Sequence, residues 1–495
     1  MTSPASTKAE VYAQAAAEKY GLHAGVLGPV ETLAQSVSAI APSTTPSLTI
    51  PLVFALAGSA TWFVYLLATV AILLIGFCVS RFARLSASPG SLYTYTANTL
   101  PPVFGVAAAW ALLLAYLATG ASVAGGALYY ASLLAERFLE WSGSAATELP
   151  AIISVPCFLA AALLHAIGPA GLAFLVLGEV CGAAGWIAYR DVRLSAEMML
   201  WIEAVSVSSI VIVLVVLPIR LGFHFDTAQF RLSGASFSGL GPALVLSIFS
   251  FVGFESATTL GAEARDPLRT IPRAVLQCAL LCGAFFILCS CSELIGFRGE
   301  PNQLSASTSP LHLLAARAGI APLGVAIDVG AAVSMFACVL ACTTAAARVL
   351  MRMARTGLLP AVLERTSPLH GTPGAAVAVS AALMFLATGV LALPGFAGSA
   401  MYDLLGSLSV FGFLTAYALV ALALPFARRA RGQHSRSVAA VSVLAVLAVV
   451  LIAIFDLRST SDPAHARIPY IYLGYLALGI AWYAIRRKKA SSIRM

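Results

Sequence analysis

The sequence predicts an all-α integral membrane protein of about twelve transmembrane helices, and three observations carry that prediction. Mean hydropathy is +0.92, only 10% of residues are charged, and apolar residues lie in long continuous runs rather than in alternation. A soluble domain carries about 25% charged residues, so this chain cannot build a water-facing surface of ordinary size. Runs of roughly 20 apolar residues match the hydrocarbon thickness in helical rise, whereas membrane strands alternate over about ten residues.

The runs place spans at about 30–56, 60–80, 103–135, 170–189, 196–219, 239–262, 274–297, 318–347, 374–394, 401–425, 437–455 and 468–486. Most of the 29 Lys and Arg residues fall in alternate connections: Arg81 and Arg84, Arg190 and Arg193, Arg265 to Arg273, Arg348 to Arg365, Arg428 to Arg436, and Arg486 to Lys489. The positive-inside rule then puts both termini in the cytoplasm. The net charge of +8 belongs to these loops and not to a nucleic-acid surface. The segment through Tyr20 lacks the basic-then-apolar order of a cleaved signal, so span 1 is expected to persist. Residues 150–189 are apolar for about 40 residues, broken at His165–Gly171, too long for one crossing. Two crossings would put every later basic loop outside. The expectation is therefore one span near 170–189, preceded by a re-entrant or interfacial helix at 150–167. Cysteines 78, 157, 181, 278, 282, 289, 291, 338 and 342 all lie in apolar stretches and read as reduced packing residues, without metal-ligand spacing.

Two spans are interrupted at membrane depth. Span 1 contains Ser36-Val-Ser-Ala-Ile-Ala-Pro-Ser-Thr-Thr-Pro46, where Pro42 and Pro46 each remove a helix hydrogen bond. The freed carbonyls need partners from hydroxyls, water or a ligand. Span 6 contains Ser250-Phe-Val-Gly-Phe-Glu-Ser-Ala-Thr-Thr259, where Gly253 and Glu255 interrupt an apolar run. A pair of broken helices in corresponding halves points to a midplane transport site; the bland alternative is a proline kink and an incidental glycine.

Gly253-Phe-Glu-Ser-Ala-Thr-Thr-Leu-Gly-Ala-Glu-Ala-Arg-Asp-Pro-Leu-Arg-Thr-Ile-Pro-Arg273 resembles the span-6 and following-loop signature of the amino acid–polyamine–organocation permeases. Pro89-Gly-Ser-Leu-Tyr-Thr-Tyr95 is similar to that family's short segment after span 2. The resemblance implies a five-plus-five inverted-repeat fold with broken helices 1 and 6, over residues 25–485. It divides that domain into a first repeat at about 30–219, a second at about 239–425 and two further spans at 437–486, between a tail at 1–24 and a basic tail at 486–495. It implies alternating access of an amino acid or amine, bound against Ser38, Ile40, Ala41, Ser43, Thr44 and Thr45 of span 1 and Phe249, Phe251 and Gly253 of span 6. The family's usual Gly-x-Gly break is absent here. Pro42 has no N–H to offer a carboxylate, so Ser43, Thr44 and Thr45 are left to bind it at a half-helix N-terminus. Phe249 matches the family's aromatic lid position; an ordinary packed Phe is the competing reading.

Ionisable residues at membrane depth cost about 2.5–3.5 kcal/mol on insertion scales, so each calls for a partner or a role. Glu255 aligns with an acidic position that the resemblance associates with proton coupling, and Glu203 of span 5 is the second candidate. Either Glu can instead satisfy the broken backbone of span 1. Glu179 and Asp328 are weaker candidates. Ser334, Thr343 and Thr344 of span 8 can line an ion site, though hydroxyls of this kind usually bond back to their own helix. Gly125-Gly126 suits close helix packing, His165 reads as a satisfied histidine, and Arg486–Lys489 as an anchor at the membrane surface. No phosphate-binding loop, HExxH or Gly-x-Ser-x-Gly elbow occurs. The function read from the chain is thus a secondary permease with no cofactor, coupled to protons or to exchange. A non-transporting sensor of the same fold and a membrane-embedded enzyme are the alternatives.

Overall fold

The computed structural model describes residues 18, 20–86, 88–145, 151–220, 232, 237–298, 300–433, 435–458 and 464–492, as backbone alone at 142–145, 151–165, 237–238, 301–302, 456, 458 and 487–492. Most of the expected tail at 1–24, the last residues of the basic tail and the side chains of Cys157 and His165 therefore lie outside the described residues. No strand occurs among the described residues; a single parallel bridge joins Leu27 to Ala264.

The first helix is broken. Its first half, α1a (Pro29–Ile40), starts on a proline whose fixed φ suits a first turn, with Glu31 beside the helix N-terminus. It ends at Ala41, which takes a left-handed conformation (φ 51°, ψ 70°) because the next residue, Pro42, can neither donate to nor pack on the preceding turn. The chain resumes as a π-helical turn, Thr45–Thr49, and then as α1b (Ile50–Ala57). Gly58, at φ 54°, turns it into α2 (Thr61–Ala83). A short helix, Ser91–Ala97, precedes α3 (Pro102–Ala145), α4 (Ala151–Arg190) and α5 (Val192–Arg220).

The second broken helix is α6. It runs as Phe237–Phe249, opens through residues 250–255 with Gly253 at φ 93°, and closes as a 3-10 helix, Ser256–Leu260. It is followed by α7 (Pro267–Gly296), the two short helices Pro301–Ala306 and Pro310–Arg317, α8 (Ala321–Arg355), α9 (Gly374–Ala392), α10 (Gly398–Arg429), α11 (Arg436–Arg458) and α12 (Ile468–Ser492).

Ten stretches among the described residues are long and apolar enough to cross a membrane, and Gly239–Phe249 is a shorter apolar helix. The expected twelve spans do not map onto these one for one. Residues 29–83 count as one 55-residue stretch although they hold both α1 and α2, and the break shortens α6 below a full crossing. Within α4, Gly168 adopts a non-helical φ 68°, ψ 174°, so two helices meet there. Among the described residues, Ala166–Arg190 has the length and hydropathy of a crossing. Residues 151–167 form a separate helix ahead of it.

Packing repeats with a period of five helices. α2 packs on α7, α3 on α8 and α4 on α9, pairs that map onto themselves when helix n is exchanged with helix n+5. The α3–α10 contact maps onto α8–α5, and α2–α6 maps onto α7–α1. Five crossings separate each equivalent pair, so partners run antiparallel and the axis relating the halves lies in the membrane plane. The two breaks meet across that axis. Small residues permit the close approach of α3. A Cβ on Gly125 would sit 2.7 Å from Met401 Cβ, and one on Gly126 2.9 Å from Met335 Sδ.

α8 carries a buried ionic cluster at each end. Asp328 and Arg348 are 20 residues apart, about 30 Å of helix, which is the thickness of the hydrocarbon core. At the face opposite the arginine-rich loops, buried Asp328 accepts from Arg137 of α3 and, at 2.5 Å, from Ser309, with His312 Nδ1 at 2.9 Å. At the arginine-rich face, Arg348 is 1% exposed and donates to both oxygens of Glu263, at 2.7 and 2.5 Å. This corrects the sequence expectation that Arg348 sits in a loop: α8 continues to Arg355 and takes Arg348 inside. Beside it, Leu27 N–H donates to Glu263 O, Arg265 N–H donates to Leu27 O, and Tyr20 lies under the guanidinium groups of Arg352 and Arg355. That face is closed.

Candidate functional site

The breaks in α1 and α6 touch at Ala39 and Gly253. A Cβ on Gly253 would stand 2.8 Å from the Ala39 carbonyl oxygen and 2.9 Å from Ala39 Cβ, so only glycine fits there. Two further bonds tie the helices together: Ser256 Oγ donates to Gln35 O at 2.9 Å, and Ala257 N–H donates to Ser36 Oγ at 3.0 Å. α8 holds α1a from the other side, with Gln35 Nε2 donating to Ala341 O at 3.0 Å and the Cys338 thiol to Ala39 O at 3.1 Å.

The nine candidate binding residues lie in or beside the two breaks and are all buried. Their surroundings differ. Ser43 Oγ is 2.6 Å from Ser206 Oγ of α5 and so is committed to the protein. The hydroxyls of Ser38 and Thr44 have no protein partner, nor does that of Ser47 one turn further on. Ile40, Ala41 and Thr45 complete the stretch around the Ala41 turn. Phe249 packs edge-on to Tyr402 of α10, with ring centroids 5.3 Å apart, and covers Gly406, where a Cβ would meet its ring at 2.6 Å. Thr49 and Tyr402 share a hydrogen bond of 3.0 Å, which ties the π-helical turn to α10. Phe251 is turned toward α7, edge-on to Phe286 at 5.1 Å.

The two candidate proton carriers face the scaffold. Glu255 accepts from Tyr116 of α3 at 2.8 Å through one oxygen and from Tyr417 of α10 at 2.5 Å through the other. Its partners are therefore phenols on two scaffold helices. Glu203 accepts from Ser334 Oγ of α8 at 3.0 Å to each oxygen. It also stands in the wall of an otherwise apolar cleft of about 340 Å³ between α1a, α5 and α7. Of the span-8 hydroxyls, Ser334 serves Glu203, Thr343 bonds back to Val339 O at 2.7 Å, and Thr344 has no partner. Glu179 is exposed on α4, away from the crossing. No cluster of three metal-ligating side chains occurs among the described residues.

Sequence reasoning passed over three parts of this arrangement. Tyr116 and Tyr417 look like ordinary aromatic residues in apolar runs, and nothing local announces that they face Glu255. The Pro89–Tyr95 segment proves to brace the second half of α6: Ser91 Oγ bonds Thr258 Oγ1, and Tyr93 reaches Thr356 Oγ1 of the α8 end at 2.8 Å. Glu293 of α7 is fully buried without a donor to either oxygen; its signal, a lone acid in an apolar run, was present in the sequence.

Comparison with known proteins agrees with this architecture. A branched-chain amino acid permease of Bacillus subtilis is 24% identical over 448 residues, covering 88% of each chain. A methylthioribose transporter of the same organism is 24% identical over 375 residues, covering 75% of this chain and 74% of its own. Mouse cationic amino acid transporter 4 is 25% identical over 342 residues, 67% of this chain and 50% of that one. Among solved structures, a substrate-bound, outward-open Na+-coupled sialic acid symporter superposes with a TM-score of 0.52 at 13% identity, covering 94% and 96% of the two chains. That likeness shows the fold alone: five-plus-five helices with helices 1 and 6 broken. The amino acid permease profile matches residues 42–457, so the chain is a multi-pass membrane transporter that belongs to the amino acid permease family.

Proposed function

We propose that this permease carries an amino acid or a closely related amine by alternating access through the crossing of α1 and α6. The observation behind the site is the pair of partnerless buried hydroxyls, Ser38 and Thr44, flanking the Ala41 turn where two helix breaks meet. Buried polar groups in proteins are almost always bonded, and a substrate carboxylate supplies the acceptor both hydroxyls need. Glu255 has both oxygens occupied by tyrosines. In this conformation each of its oxygens is engaged by the protein, which favours a zwitterion with an uncharged side chain over a substrate whose cation needs that carboxylate. The names of the relatives include branched-chain and cationic amino acids, and also methylthioribose, which is neither an amino acid nor an amine.

Transport is proton-coupled symport or exchange in this reading, with Glu255 and Glu203 as the acids the sequence singles out. Residues 25–485 act as the transporter domain in the plasma membrane, with the arginine-rich face and both termini cytoplasmic. The closed Arg348–Glu263 face is then the inner gate, and Phe249 over Gly406 the outer lid.

Counterflow in proteoliposomes across a panel of neutral, acidic and basic amino acids, polyamines and thioribosides tests the reading. Uptake of a neutral amino acid, competed weakly by lysine or putrescine, is the expected result. Absence of counterflow for every amino acid and amine in the panel contradicts it.

A further inference from the structure

Five acids are buried among the described residues: Glu203, Glu255, Glu263, Glu293 and Asp328. Four have donors. Glu255 has two phenols, Glu203 a serine, Glu263 a bidentate arginine, and Asp328 an arginine and a serine. Glu293 has none on either oxygen. An uncompensated buried carboxylate costs several kcal/mol, so such a group rests as the neutral acid or acquires a partner.

Its place in the fold connects it to the moving parts. Phe286, Cys289 and Glu293 recur at intervals of three and four residues and share one face of α7. Phe286 packs on Phe251 at the α6 break and on Tyr65 of α2, at 5.1 and 5.9 Å. Glu293 lies about 10 Å further along the helix. α7 also meets the π-helical turn of α1. Glu293 is within electrostatic reach of Tyr65, Tyr130 and Cys289. Tyr65 OH is 3.3 Å from Ser250 Oγ at the α6 break, and Tyr130 OH donates to Ser47 O in the π turn at 3.2 Å. Both phenols within its electrostatic reach are thus fastened to segments a transport cycle must move. Three cations of the adjoining segments are committed elsewhere. Arg317 donates to Gly296 O and Glu300, and Arg137 and His312 hold Asp328.

We propose that Glu293 is a proton-carrying site of the transport cycle, neutral in this conformation and ionised when movement of α1b and the α6 break admits water from the face opposite the arginine-rich loops. The step is an acid dissociation: the carboxyl O–H breaks, its electron pair stays on Glu293, and the proton passes to water. The reverse reaction reloads it. This rests on the proton-coupled reading above and names the residue that carries the charge. Glu255, held by two donors, then serves to position the α6 break.

Wild type and Glu293→Gln are compared in proteoliposomes by counterflow at equal pH, and by accumulation of the same substrate under an inward proton gradient. The inference expects Glu293→Gln to keep counterflow and lose gradient-driven accumulation. Accumulation equal to wild type in that variant overturns it. If the wild type shows counterflow but no gradient-driven accumulation, the proton-coupled reading itself falls, and this inference with it. If Glu293→Gln loses both activities, Glu293→Asp decides. Recovery of accumulation with the shorter acid supports a titrating role, and loss of both again marks a packing role and overturns the proposal.

Discussion

Arg348→Met is expected to destabilise the protein by about 3–5 kcal/mol, the cost of leaving one member of a buried ion pair without its partner. Glu263 is fully buried and receives both guanidinium bonds, so the single variant leaves a carboxylate with no donor of comparable strength. The Arg348→Met/Glu263→Met double variant is expected to recover most of that loss, because a well-packed apolar pair often replaces a buried ion pair at no net cost. Thermal unfolding in detergent reads both. A single variant that unfolds at the wild-type temperature would show that the pair is solvated or unimportant. The pair also closes the arginine-rich face beside the Leu27–Ala264 bridge, so the double variant is expected to open that face more readily even where it folds as well.

Gly253→Ala is the second large effect. The residue stands at φ 93°, a region that side chains rarely enter, and a Cβ would press on the Ala39 carbonyl at 2.8 Å. Backbone strain of this kind costs about 1–3 kcal/mol, and the steric displacement adds to it. Relief requires α1 and α6 to separate at their crossing. Two to three kcal/mol is about a 30- to 150-fold change in population between two conformations, so counterflow is expected to fall by about that factor. Gly432→Ala is the control: it also has positive φ, yet a Cβ there meets nothing within 4 Å. Equal loss in both variants would mean that backbone strain, and not the crossing of the breaks, sets the effect.

Much of this architecture is legible in the sequence because membrane insertion writes it in composition. Pro42, Pro46 and Gly253 announce breaks through rules that are local and strong. The break at His165–Gly171 is likewise local, and Gly168 marks where two helices meet. Partners are a different matter. Tyr116 and Tyr417 reach Glu255 across 139 and 162 residues of sequence, and Arg348 reaches Glu263 across 85. An acid in an apolar run declares that it needs something, but its compensation is set by tertiary packing. Nothing in the runs around Glu255 and Glu293 tells that the first has two phenol donors and the second none. Arg348 was placed in a loop for the same reason: a basic residue at a span end reads as solvated until a buried carboxylate is found opposite it.

The central claim is that substrate binds where the breaks of α1 and α6 meet. Ser38 and Thr44 test it cleanly, because neither hydroxyl has a protein partner, so Ser38→Ala and Thr44→Val remove no protein hydrogen bond. The decisive measurement is the melting temperature of the purified protein with and without the amino acid identified by counterflow. Ligand that binds only the folded state raises the melting temperature with occupancy. The account predicts wild-type melting for both variants without ligand and a ligand-induced rise that is strongly reduced or absent. An undiminished rise in both variants would place the substrate elsewhere.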